Sequence, residues 1–241
     1  MREEDIVPGT AVVKGDEHEV DIELLLARLP AGPRRGVVHV GAHVGEEVPA
    51  YFHHGFQWAT LVDANPDACR EMERRFASDA RVTVIEAAAV AEPGPLRFNL
   101  HTSRSGSVEA ASVLPMKELN RIVKAMHTPR VLDVRGETLD ALLAERGVDP
   151  AHCDLLNLDV QGAELLVLQG ASRALSSCRW VVTEINCLEL YEGGTREADL
   201  EHFLQERGFA RDFTIYHRYY DENGWFIAWG EALFARRPDA A

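Results

Sequence analysis

Val37-Val38-His39-Val40-Gly41-Ala42-His43-Val44-Gly45-Glu46-Glu47 is the stretch on which the fold turns. Val37–Val40 is a short apolar run that reads as a strand, and the glycines behind it end it sharply. Gly41 can take the backbone conformation of a strand-to-helix turn and present main-chain N–H groups to a ligand. The glycine spacing is G-x-x-x-G. A dinucleotide fingerprint would need glycine at His43, and no G-K-[S/T] follows, so neither that fingerprint nor a P-loop is present. Eighteen residues beyond Gly45, Asp63 ends the next apolar run, Ala59–Val62. An acid at that place in a doubly wound sheet accepts ribose hydroxyls, so turn and acid together point to a nucleotide-like ligand. His39 and His43 are four apart, a spacing that joins side chains only on a helix, and the glycines oppose a helix. They are read as bonded to nearby backbone or to the ligand, with no metal ligand assigned.

Outward from this turn the chain alternates. Upstream, residues 1–20 are charged and aperiodic, a loose lead-in. Ile22, Leu25, Leu26 and Leu29 then recur on one helical face, with Asp21 to cap it and Pro30 to stop it. Residues 1–35 are thus a lead-in and helix, and 36–237 form one domain.

Downstream, Asn65-Pro66 opens a helix carrying Cys69, Met72 and Phe76, and Val82–Ile85 is a strand. Thr138 caps a helix with Leu139, Leu142 and Leu143, and Gly147 lies beyond its end. Leu155–Leu158 reads as strand, Ala163–Leu175 as helix, Trp180–Thr183 as strand, and Arg196 to Arg207 as helix stopped by Gly208. Phe213–Tyr219 and Phe226–Ala235 flank Asp221-Glu222-Asn223-Gly224, a hairpin signal. Strands separated by helices predict an α/β three-layer sandwich, its mostly parallel sheet ending in an antiparallel hairpin.

An insert of about 93–134 interrupts the alternation. Ser103, Ser105 and Ser107 with Gly106 make a polar loop, and Met116, Leu119, Val123 and Met126 follow at helical spacing. Lys117, Arg121 and Lys124 form a basic face that would attract an acidic acceptor. Aromatic residues crowd Tyr191 to Trp229, and those facing a crevice, Tyr216 among them, would line an acceptor pocket.

With 241 residues, 46% hydrophobic and 27% charged, the chain is an ordinary globular one. A net charge of −14 disfavours nucleic acid as a partner. No apolar run spans a membrane, the first residues do not read as a signal peptide, and the four cysteines form no C-x-x-C pair. A reduced, cytoplasmic protein is expected.

The second chemical cluster is Asn157-Leu158-Asp159-Val160-Gln161-Gly162-Ala163-Glu164. Ligands of open parallel sheets bind beyond the carboxyl ends of strands, where strand order reverses, and Asp159 would lie there. Trp180–Asn186 puts Glu184 at the next strand end. Carboxylates in a crevice carry a desolvation cost that a cationic ligand or a metal would offset.

The motifs V-x-V-G-A-H-x-G-E-E, D-A-N-P, T-L-D-x-L-L, L-D-V-Q-G-A-E-L-x-V-L-x-G-A, T-E-I, L-Y-E-G and W-G-E-A-L-F together resemble the FkbM-type methyltransferases over roughly residues 36–236. The resemblance implies a class I, Rossmann-like methyltransferase fold using S-adenosylmethionine, and a small-molecule hydroxyl acceptor on a sugar, lipid or secondary metabolite. The family has Asp and Asn where this chain has His39 and His43. Carried over, Gly41, Ala42 and Gly45, with His39 and His43, approach the methionine moiety, and Asp63 with Ala64 takes the ribose. Glu86, Ala87 and Ala88 border the adenine, and Ser107 and Asp159 complete the cofactor site. Asp159 and Glu184 are the catalytic candidates; Lys117, Arg121 and Tyr216 are those for the acceptor. The two acids either act directly on the acceptor's proton or hold a divalent metal, and the metal-free version is favoured because no third ligand stands out. N-methylation of an amino sugar and a non-catalytic nucleotide-binding module are the alternatives.

Overall fold

The structure, a computed structural model, describes residues 10–14, 22–103, 110–123, 126–221 and 224–237. Its first half runs β1 (Ala11–Lys14), α1 (Ile22–Ala27), β2 (Gly36–Val40), α2 (Val48–His53), β3 (Trp58–Asp63), α3 (Pro66–Arg75), β4 (Val82–Glu86), β5 (Ala88–Ala89), β6 (Gly94–Thr102), β7 (Ala110–Ser112) and α4 (Leu119–Ile122). Then follow β8 (His127–Glu137), α5 (Leu139–Glu145), β9 (Cys153–Leu158), α6 (Glu164–Gln169), α7 (Ser172–Ser177), β10 (Trp180–Asn186), α8 (Glu197–Gln205), β11 (Phe209–Asp221) and β12 (Gly224–Arg236).

The continuous apolar runs become the buried centre of an eight-stranded sheet, ordered β1-β11-β12-β10-β9-β2-β3-β4. Strand β12 alone runs against its neighbours β10 and β11. Side chains alternate between two cores. Val38, Val40, Val62, Leu156, Leu158 and Val181 meet α5 to α8 on one face. Val37, Leu61, Leu155 and Val182 meet α1, α2 and α3 on the other. This is the three-layer sandwich read from the sequence, with strand order reversing between β2 and β9. Local signals hold as well: Asn65 caps α3 by accepting the Asp67 N–H, and Thr138 caps α5 by accepting that of Ala141. The cap assigned to Asp21 and the turn residue Asn223 lie outside the described residues. Among the described residues no helix is long and apolar enough to cross a membrane.

Three expectations are corrected. The lead-in, expected to be loose, supplies β1, which pairs in parallel with β11 beside the terminal hairpin. The helix read over 163–175 is two, α6 and α7, broken because Gly170 passes so close to Val90 that a Cβ there would sit 2.2 Å from the Val90 carbonyl oxygen. Asp140 accepts the N–H groups of Arg173 and Ala174 and starts α7. The insert is carried by a second sheet, ordered β5-β8-β6-β7, that its helical spacing did not show. Among its described residues Leu119–Ile122 is helical, and the N–H groups of Lys117 and Leu119 just before and at its start go to the Leu190 carbonyl.

Candidate active site

The crevice lies where β2, β3, β9 and β10 end. In the turn after β2, Gly41 has φ 83°, and a Cβ on it would fall 1.7 Å from the Asp159 carbonyl oxygen. Glycine is therefore demanded by the neighbouring strand end. The expected open N–H groups are not available: those of Gly41 and Ala42 go to Val62 O (2.8 and 3.3 Å) and that of Gly45 to Ala42 O (2.7 Å). The His43 N–H goes to Asp63 Oδ2 at 2.8 Å, and Asp63 Oδ1 accepts the Asn65 N–H at 2.7 Å. Asp63 thus ties β3 to the glycine turn. Burial pushes its carboxyl up to about 6 against the pull of those two donors. His43 itself is exposed, and its ring, 3.2 Å from Glu46, has its pKa raised by that contact.

Beneath the turn lies a polar row that the residue types did not announce. The Asn157 amide donates to Tyr51 Oη at 2.6 Å, so the phenol gives its own hydrogen to His39 Nδ1 at 3.1 Å. That leaves the hydrogen of neutral His39 on Nε2, a buried donor with no partner in the protein. Burial holds the ring pKa down at about 4. Glu47 Oε2 is likewise buried without a hydrogen-bond partner, and burial raises its carboxyl to about 7.

Asp159 and Glu184 stand at adjacent strand ends, as the sequence indicated, since β9 and β10 pair in parallel through Leu158 and Thr183. One amide joins them: Gln161 Nε2 donates to Asp159 Oδ1 at 2.7 Å and to Glu184 Oε2 at 2.9 Å. Glu184 Oε1 accepts from the Asn186 amide at 3.0 Å. Burial, and then the neighbouring Asp159 charge, raises Glu184 well above the ordinary carboxylate range; burial also raises Asp159, which remains half-buried at the crevice. Two carboxyl groups so placed titrate as a pair.

The adenine candidates flank Asp63: Glu86 is its partner across the β3–β4 ladder, and the Ala87 N–H donates to its carbonyl at 2.9 Å. Glu86 is exposed, while Ala87 and Ala88 are buried where the chain leaves β4 for the second sheet; Ala64 packs with Ala88 and Phe98. Ser107 lies outside the described residues. Two members of the basic face are ion-paired on the surface, Lys117 Nζ with Glu189 at 2.6 Å and Arg121 with Glu118 at 3.3 Å, and Lys124 lies outside the described residues. Tyr216 is buried in the core against α8, its hydroxyl donating to Glu197 at 2.8 Å and accepting from Arg211 at 3.0 Å. The strand's alternation turns it away from the carboxylates. Sequence reasoning gave no role to Gln161, Tyr191, Ser112, Tyr51 and Asn157; Gln161 and Asn157 lay in the quoted second cluster and Tyr191 in L-Y-E-G, while Ser112 and Tyr51 carried no signal.

A family profile described as Methyltransferase FkbM domain matches residues 39–210. No curated protein matches the chain. Among solved structures, magnesium protoporphyrin IX methyltransferase (ChlM) from Synechocystis PCC 6803 aligns over 90% of this chain and 76% of its own, at 13% identity and a TM-score of 0.47. TrmK from M. capricolum, in complex with S-adenosyl-homocysteine, aligns over 92% and 70%, at 8% identity and a TM-score of 0.45. The ribosomal protein L11 methylase from Lactobacillus delbrueckii subsp. bulgaricus aligns over 89% and 76%, at 14% identity and a TM-score of 0.44. The profile takes in the glycine turn, Asp63, the Asp159 cluster and Glu184, and the chain therefore belongs to the FkbM methyltransferase domain family.

Proposed function

We propose that the chain transfers a methyl group from S-adenosylmethionine to a hydroxyl of a small-molecule acceptor, a sugar or a secondary metabolite. The observation that carries this reading is the pair of strand-end carboxyl groups, Asp159 and Glu184, held by one amide beside the glycine turn at the sheet's reversal point. A net charge of −14 favours a small acceptor over a polyphosphate chain.

The residues fit the cofactor. The unpartnered His39 Nε2–H and Glu47 Oε2 offer one donor and one acceptor, the two functions that the carboxylate and ammonium of a methionine end require. Asp63 uses one lone pair of each oxygen on backbone N–H groups and keeps others for ribose hydroxyls. Bound S-adenosylmethionine supplies an activated methyl on a sulfonium, whose positive charge disappears on transfer. The protein must hold the acceptor in line and take its proton. Asp159, the more exposed acid, accepts that proton at a carboxylate oxygen. Glu184, kept protonated by burial and by the charge of Asp159, orients the hydroxyl.

Incubation with methyl-labelled S-adenosylmethionine and fractionated acceptor extracts tests the reading. Label should enter a small molecule, and Asp159→Asn should lower turnover by about 10²–10⁴ with cofactor affinity largely kept. Near-wild-type turnover in both Asp159→Asn and Glu184→Gln would remove the pair from the chemistry.

A further inference from the structure

Around β10 the protein gathers buried carboxyl groups. Glu184 faces Glu231, which His217 Nε2 meets at 2.8 Å, across the β10–β12 ladder, and Glu164 is buried nearby, accepting the Gly162 N–H at 2.9 Å. Among the described residues, no lysine or arginine forms a salt bridge with Asp159, Glu164 or Glu184. A divalent cation is the usual partner for carboxyl groups so placed. Here the place between Asp159 and Glu184 is taken by the Gln161 amide.

The amide is held from three sides. Its two N–H bonds go one to each carboxyl group, while its oxygen accepts the Tyr191 hydroxyl at 2.6 Å. Carboxylate oxygens only accept, so the amide nitrogen faces the acids and the oxygen is left for the phenol. Gln161 has φ 54°, in the left-handed region that residues with side chains rarely enter. Ser112, from the insert, donates to the Gln161 carbonyl at 2.8 Å. Gly162, at φ 93°, lets the Tyr191 ring lie where a Cβ would be 2.7 Å away. The insert in turn is pinned to the Tyr191 segment by the Met116–Tyr191 bridge and by the bonds to Leu190. A strained backbone braced by two separate parts of the chain marks a position whose side-chain placement matters.

We infer that Gln161 is a positioning residue: its neutral amide stands where a cation would bridge Asp159 and Glu184, setting their spacing while leaving their charge uncompensated. The inference rests on the reading of Asp159 and Glu184 as the working pair. A metal would strip protons from both acids, whereas an amide gives each a hydrogen bond and no charge, so the pair keeps a proton to exchange with a hydroxyl. The other titratable groups around the pair are His39 from β2, His43 and Glu47 from the turn after it, Glu164 from α6, Tyr191 after β10, and Glu231 from β12 with its partner His217 from β11.

Two readouts that need neither cofactor nor acceptor test this. In Mn²⁺ titrations followed by electron paramagnetic resonance at pH 7.5, wild type should take up no stoichiometric ion. Gln161→Glu should gain one equivalent, abolished by adding Glu184→Gln. In ¹³C NMR of aspartate-labelled protein, with the Asp159 signal assigned by its loss in Asp159→Asn, Gln161→Met should raise the Asp159 midpoint by about one pH unit, since a hydrogen bond to the ionised form is lost. Stoichiometric Mn²⁺ binding by wild type that Asp159→Asn abolishes would overturn the inference. So would a folded Gln161→Glu that gains no ion, or an unmoved midpoint in Gln161→Met. Failure of wild type to bind S-adenosylmethionine would instead overturn the methyl-transfer reading and leave these results standing.

Discussion

Replacing Gly41 with alanine probes the close approach that joins the two halves of the candidate site. The added Cβ would stand 1.7 Å from the Asp159 carbonyl oxygen and 2.6 Å from its carbon, both backbone atoms with no rotamer to yield. At φ 83° alanine also bears left-handed strain of about 1–2 kcal/mol. The strand ends must part, at the expense of the Asp159 N–H to Val40 O bond (2.9 Å) or the Gly41 N–H to Val62 O bond (2.8 Å), each worth about 1 kcal/mol. The sum is about 2–3 kcal/mol, or about 8 °C in Tm for a chain of this size. Gly55 supplies the control: its φ is 91°, yet a Cβ there meets nothing within 4 Å, so Gly55→Ala carries the strain alone, about 4 °C. Thermal and urea unfolding of the two variants separate clash from strain. If Gly41→Ala loses no more stability than Gly55→Ala, the argument from the Asp159 carbonyl is wrong.

Glu164, raised by burial from 4.5 to about 7, favours the folded state in its protonated form; that contribution is complete below about pH 4.5 and is lost as pH rises through 7. Glu164→Gln should therefore gain about 1–3 kcal/mol on wild type at pH 8, with the gap closing by pH 5, and an equal gap at both pH values in urea titrations would contradict it. Tyr216→Phe should cost about 1–2 kcal/mol of stability through lost bonds to Glu197 and Arg211, and leave acceptor KM unchanged. A raised KM at unchanged stability would return Tyr216 to the acceptor site. Neutralising Lys117 and Arg121 together should likewise leave acceptor KM unchanged in steady-state assays, since both charges already face acids on the surface.

What could be read from the residues follows from how each element gets its stability. The central parallel strands are buried on both faces, so Val37–Val40 and Leu155–Leu158 announce themselves as apolar runs. Strands β6 and β8 lie half open to solvent, and β6 hides its signal in the alternation of Leu96, Phe98 and Leu100. The pairing that makes them strands is mutual and cannot be seen in either segment alone. Residues 116–126 have helical spacing, but the N–H groups of Lys117, Glu118 and Leu119 find carbonyls at Glu189 and Leu190, contacts that local pattern cannot show. Asp63, Asp159 and Glu184 were legible because a strand end is a position in the sequence as well as in space. The contacts around them were not: Tyr51 meets Asn157 across 106 residues and Ser112 meets Gln161 across 49. Nor could spacing show that Gly41 serves the Asp159 carbonyl, or that Lys117 and Arg121 are answered by Glu189 and Glu118.

Isothermal titration calorimetry with S-adenosylmethionine, S-adenosylhomocysteine and NAD, on wild type and Asp63→Ala, tests the central claim most directly. The account predicts one-to-one binding of the first two ligands and none of NAD. Asp63→Ala should weaken that binding about 10- to 100-fold, as expected for hydrogen bonds to a charged group. Binding of NAD in their place, or equal affinity of wild type and Asp63→Ala for S-adenosylmethionine, would contradict it.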